Sequence, residues 1–149
     1  MAKLTITDFF LLLDAPLRNH AWSWGAITPR SQDVVFRVWN DEMRMFHGKR
    51  HYRLTLHEKW KVLDPRVKKG YEERMLHIDH AFKKGRSFFV YCRADHLDAI
   101  PRKIVGYTNH VVGLCESIIQ DDAQDFWGEE TRIMTISEYQ GIFPQNSVP

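Results

Sequence analysis

An α+β domain, with a curved, mostly antiparallel sheet or partly open barrel flanked by helices, is the architecture this sequence predicts. Three observations carry it. One long amphipathic stripe begins at Asp64-Pro65, and short segments rich in β-branched and aromatic residues stand on both sides of it. Their order reads helix, two strands, long helix, then about four strands. The 149 residues, 44% apolar and 27% charged, suit one domain with a sizeable core.

Thr7 as N-cap and Asp8 as first-turn acid open a short helix through Phe9, Phe10, Leu12 and Leu13, which Pro16 stops. Leu17 to Thr28 carries few signals, and Pro29 marks a loop. Asp33 to Trp39 alternates as a strand, with Val34, Phe36 and Val38 on one face and Val35, Arg37 and Trp39 on the other. A second strand, roughly Tyr52 to Leu56, follows the His47-Gly48 turn signal. Asp64 caps and Pro65 starts the long helix, in which Val67, Tyr71, Met75, Ile78 and Phe82 form the apolar stripe. Lys83, Lys84 and Gly85 close it. Four strand-like segments follow: Ser87 to Arg93, Lys103 to Thr108, Val111 to Ile119 and Trp127 to Met134, with turns at Asn109-His110 and Asp122-Ala123. The tail from Gly141, holding Pro144 and Pro149, reads as peripheral. The expected organisation is therefore a single domain over 1–140 and a C-terminal extension over 141–149.

Net charge is only +2, but it is unevenly placed. Arg44 to Lys61 is strongly basic, and Asp121 to Glu130 is acidic. One basic and one acidic pole suit an anionic partner held on one side, and solvated faces produce the same asymmetry. Cys92 and Cys115 lie in apolar strand-like segments, the pattern of buried thiols in a reducing compartment. No signal-peptide pattern opens the sequence, and the apolar run Phe9 to Leu13 is too short to span a bilayer. A cytoplasmic protein without a membrane partner is expected.

Four constellations bear on chemistry. Trp22, Ser23, Trp24 and Gly25, with Trp39 further on, combine large π-faces with hydrogen-bonding groups and a glycine that admits close approach. Tryptophans of this kind line an aromatic pocket or fill a core. The basic stretch interleaves Phe46, Tyr52 and Trp60, so stacking and phosphate neutralisation can act together; a solvated hairpin has the same look. His77-Ile78-Asp79-His80, with His57 elsewhere, invites a metal-hydrolase reading, but on a helix Asp79 points away from the two histidines. No metal or other cofactor is expected. No serine occupies a nucleophile elbow, and no glycine-rich phosphate loop occurs, so no catalytic residue is assigned.

Leu17-Arg18-Asn19-His20-Ala21-Trp22-Ser23-Trp24-Gly25-Ala26, followed by Val35-Phe36-Arg37-Val38-Trp39-Asn40-Asp41-Glu42, resembles a known module. It is similar to the PUA-like (EVE/SRA-related) domain found ahead of HNH nuclease domains in modification-dependent restriction endonucleases. Gly85-Arg86, Tyr91-Cys92-Arg93-Ala94 and Asp98-Ala99-Ile100-Pro101-Arg102-Lys103-Ile104 resemble its second half more loosely, and together they span the chain to about Met134. The resemblance implies a curved-sheet domain that accepts a modified cytosine, such as 5-methylcytosine, flipped from duplex DNA. By matching position it implies Trp22, Ser23, Trp24, Trp39 and Asp41 as the base pocket, with Asp41 accepting from the exocyclic amine. Arg18, Arg30, Arg44, Lys49, Arg50 and Arg53 are the candidates for phosphate contacts. Extrusion costs a few kcal/mol, and aromatic stacking returns about 1–3 kcal/mol per base.

The sequence departs from such enzymes in lacking a His-Asn-His constellation. The expectation is a DNA-binding reader of a modified base in restriction or defence, without catalysis, its nuclease being another domain or a separate partner. Three alternatives stand beside it: a modified-RNA reader, a metal-dependent hydrolase using His57, His77 and His80, and a protein-interaction module.

Overall fold

The computed structural model describes residues 4–19, 23–55, 65–94 and 104–142, which form an α+β fold. Helix α1 (Ile6–Leu12) is capped two residues earlier than expected, because the Thr5 hydroxyl, not that of Thr7, accepts the Asp8 N–H at 3.1 Å. Strands β1 (Gly25–Ile27) and β2 (Val34–Trp39) pair antiparallel, and β3 (Met43–Phe46) and β4 (Lys49–Arg53) form a hairpin about His47-Gly48. The expected strand from Tyr52 thus starts three residues earlier, and Leu56 lies outside the described residues. β1 and β3 went unread, since β1 is too short to alternate and β3 buries no face.

Helix α2 (Pro65–Lys84) ends where Gly85 takes a φ of +84°, as its sequence predicts; Asp64 lies outside the described residues. Its phase differs from the expected stripe. The buried face is Gly70, Glu73, Arg74, His77, Ile78 and Ala81, a regular helical spacing, while Phe82 is 67% exposed and Leu76 69%. Tyr71 and Met75 are only half-buried. Apolar residues alone misplace the face because three polar side chains occupy its centre.

The remaining strands are β5 (Ser87–Ala94), β6 (Ile104–Tyr107), β7 (Val111–Cys115), β8 (Ile118–Gln120), β9 (Phe126–Glu129) and β10 (Arg132–Thr135), and α3 (Ile136–Ile142) follows. Two segments expected as single strands are each broken, at residues 116–117 and 130–131, where the chain passes between sheets. α3 runs past Gly141, where the extension was expected to begin. Its start is a reciprocal cap: the Thr135 hydroxyl accepts the Glu138 N–H at 3.1 Å, and the Glu138 carboxylate accepts the Thr135 N–H at 2.9 Å.

Strands β1-β2-β5-β7-β10, with β6 also on β5, form an open six-stranded sheet, and β3-β4-β9-β8 an open four-stranded one. Among these pairs β2 and β5 alone run parallel, joined through α2; the rest are antiparallel. The alternation read in β2 holds. Val35 and Trp39 pack with Phe9, Phe10, Phe88 and Tyr139 on one face of the larger sheet. Val34, Phe36 and Val38 pack with Ile78, Ala81, Tyr52 and Phe89 on the other. Each such buried apolar side chain contributes about 1.5–3 kcal/mol. Cys92 and Cys115 are free and buried in the two clusters, and burial pushes both thiols up to about 11. No helix among the described residues is long and apolar enough to cross a membrane.

Candidate functional site

β1 covers β2 only opposite Val34, Val35 and Phe36, so Arg37 to Trp39 extend beyond it. The chain entering β1, Ser23 and Trp24, meets the polar turn of α2 at this point. Arg74 ties the segments together: its guanidinium donates to the carbonyls of Leu54 (3.2 Å), Trp24 (3.0 Å) and Arg37 (2.6 Å), and it lies 5.0 Å from the centre of the Phe36 ring. Burial, reinforced by the Arg37 charge, pushes Arg74 down to about 9, so it remains a cation at neutral pH. Gly25 allows the approach of strand and helix. A Cβ there would stand 2.6 Å from the Val35 carbonyl oxygen and 3.5 Å from His77 Nδ1.

Glu73 and His77 lie one turn apart and are 8% and 7% exposed. Burial raises the Glu73 carboxyl, opposed by a hydrogen bond to Ser23 and by the charges of Arg18, Arg74 and Arg37. Burial, with Arg74 and His80 adding to it, pushes His77 down to about 4 and keeps its imidazole neutral at neutral pH. Four buried side-chain polar atoms among the described residues lack a hydrogen-bond partner, and three belong to this turn: Glu73 Oε1, Arg74 Nε and His77 Nδ1. Leaving such an atom unmet costs about 1–3 kcal/mol. An acceptor, a donor and an imidazole nitrogen of either role are therefore held unspent on a single helical turn.

Around them stand part of the expected pocket. Ser23 is buried, its Oγ accepting the Asn19 N–H at 3.0 Å, and Trp24 is half-buried while its carbonyl accepts the Arg37 N–H at 2.8 Å. Arg18 is exposed, and its charge reaches Glu73. Trp39 is half-buried against the core shared with α1 and α3, and Asp41 is exposed in the turn after β2. Trp22 lies outside the described residues. Glu73, Arg74 and Arg37 were missed as site residues, and His77 was named only as a metal-hydrolase alternative. Their signal was available, since Glu73, Arg74 and His77 share the helical face of Ile78 and Ala81.

The two charge poles do not stand apart as expected. Pairing of β4 with β9 sets them against each other: Arg44 meets Asp121 at 3.7 Å, Lys49 meets Glu129 at 3.8 Å and Arg50 meets Glu130 at 3.8 Å. The cations are outermost, with side chains 57%, 65% and 50% exposed against 12%, 18% and 9% for the acids. Arg53 is more deeply engaged, donating to Glu42 at 3.1 Å and Asp125 at 2.5 Å. Arg30 stands 4.0 Å from Asp14 on an exposed loop. Arg44 and Arg53 also flank Trp127, at 4.7 and 5.7 Å from its ring centre.

His80 Nε2 meets the Gln32 carbonyl at 2.7 Å, and His57 lies outside the described residues. No three His, Cys, Asp or Glu side chains among the described residues gather to hold a metal. No protein-family model, no curated protein and no solved structure matches this chain.

Proposed function

We propose that this domain binds nucleic acid and reads one modified base beside Trp24, without catalysis of its own. The observation that carries the reading is the set of three unspent, buried hydrogen-bonding atoms on the α2 turn, which meets the Ser23 side chain and the Trp24 backbone carbonyl. Buried polar groups are ordinarily paired, so three unpaired atoms on one turn call for a partner beyond these side chains. An extruded base supplies a π-face for the indole and polar edge atoms for the turn. Arg44, Lys49 and Arg50 present cations above their acids, positions from which phosphates can draw them. The PUA-like resemblance of the Trp24 region favours DNA bearing a modified cytosine as ligand. A nuclease in another domain or a separate protein then acts on the marked site, in the cytoplasm.

Titration of the protein with matched modified and unmodified DNA duplexes, and with the equivalent RNA, tests this. Modified DNA should bind most tightly, and Trp24→Ala should weaken it by about 1–3 kcal/mol, the worth of one stacked base. The thermal midpoint should change little. Equal affinity for every oligonucleotide would remove base reading, and a preference for modified RNA would move the ligand to that polymer.

A further inference from the structure

We propose that the outer edge of β3 is a docking site for an extended, acidic segment of a partner protein, which joins the smaller sheet as an added strand. β3 ends that sheet, and no described residue pairs with it on the side away from β4. The hairpin fixes which backbone groups face outward. Its tight turn, His47 and Gly48 with φ of +53° and +76°, makes Phe46 and Lys49 the first hydrogen-bonded pair. Bonded pairs then alternate, so Arg44 bonds to His51, and the Arg53 N–H donates to the Glu42 carbonyl at 3.0 Å. Arg50, in the intervening pair with Met45, turns its carbonyl the other way and accepts the Glu130 N–H at 2.8 Å. The N–H and C=O groups of Met43 and Met45 therefore point to the open edge.

Little guards that edge. Sheets ordinarily protect an end strand with proline, a bulge or a covering element, and β3 has none of these among the described residues. β1 and β8 also end sheets but are three residues long, and at β10 the Thr135 N–H is taken by Glu138. Met43 and Met45 lie exposed on one face of β3, and their thioethers adapt to many apolar shapes. Arg44 lies on the other face, as does Lys49 across the hairpin. Residues 43–50 hold Arg44, Lys49 and Arg50, each at least half exposed, and no acid. A strand added here meets thioethers on one face and positive charge on the other, which selects apolar residues alternating with acids. None of these residues belongs to the α2 turn, so the edge can act whether or not a base is read there.

The test adds a short capped peptide of alternating glutamate and valine to the full chain and follows amide hydrogen exchange. The Met43 and Met45 amides should become protected at saturation, while those of Arg44 and Phe46, already bonded to β4, should not change. A peptide with lysine in place of glutamate should not bind. Arg44→Glu should weaken the glutamate peptide by roughly 2- to 30-fold, the span of one favourable cross-strand pair turned repulsive. Met45→Pro, which removes an outward N–H and leaves the pairing with β4, should weaken it by roughly 2- to 10-fold. If that variant fails to fold, methylating the peptide's backbone nitrogens serves, because it blocks strand addition and keeps every side chain. Absence of binding by the glutamate peptide, equal binding of the lysine peptide, or undiminished binding of the methylated one overturns the assignment. So does saturation that leaves Met43 and Met45 unprotected. Protection of these amides in the protein alone, rising with its concentration, gives the edge to a second copy, and protection by an oligonucleotide gives it to nucleic acid. Either result also overturns the acidic segment.

Discussion

Two regions of this molecule hold charged side chains in opposite ways. Around the β4–β9 pairing, Arg44, Lys49 and Arg50 each stand 3.7–3.8 Å from a carboxylate, and both partners keep some contact with water. On the α2 turn a carboxyl, a guanidinium and an imidazole are buried together, and each keeps an atom unspent. The ladder gains little from pairing, because water screens exposed charges. The turn is sensitive to every proton and partner, because its surroundings do not screen. The same residue types therefore act as surface in one place and as a recognition candidate in the other.

Changes that break the contrast should differ in size accordingly. The largest effect belongs to Arg74→Ala, which strands the carbonyls of Leu54, Trp24 and Arg37; urea unfolding should show a loss of roughly 3–5 kcal/mol. Protonation of the turn comes next. His77 in the folded chain sits near 4, below its ordinary 6.5, so the unfolded chain binds the extra proton between those values. Stability is fully present above pH 6.5 and falls as pH drops toward 4, by on the order of 3 kcal/mol from this group. His77→Gln should flatten that part of the stability profile, and an unchanged profile would show that the imidazole is not held neutral.

Smaller effects sharpen the other side. Glu73→Gln should move stability by less than about 1 kcal/mol in either direction, since the lost charge is offset by relief from burying it. Lys49→Ala or Arg50→Ala should cost at most about 1 kcal/mol in stability. If these cations meet phosphates, each replacement should also lower the salt dependence of nucleic-acid affinity by roughly one counterion. A loss of several kcal/mol from either lysine or arginine variant would mean that the ladder, too, is a buried network.

Much of the element order was legible. β2 and β5 announced themselves through β-branched and aromatic runs, and α2 through its closing lysines and glycine. β3 was hidden because this four-residue edge strand is too short to show a clear alternation, and α3 because its cap, Thr135 and Glu138, lay at the end of an apparent strand. Within the site, Ser23 and Trp24 were legible from their aromatic and glycine neighbours. Glu73 and Arg74 were not, because polar residues on a helix are read as solvent-facing unless something shows which side is covered, and His77 was read only as a metal ligand.

Local chemistry alone determined where α2 closes, which residues of β2 face together, and that free thiols sit inside. Those outcomes depend on φ preferences, side-chain alternation and apolar burial over a few neighbouring residues. Tertiary structure decided two others: that the acidic and basic stretches neutralise each other, and that α2 turns Glu73, Arg74 and His77 inward. Both depend on which distant segment lies alongside. Glu129 reaches Lys49 only when β9 lies against β4, and the α2 turn is covered only when Trp24 and Gly25 pack against it.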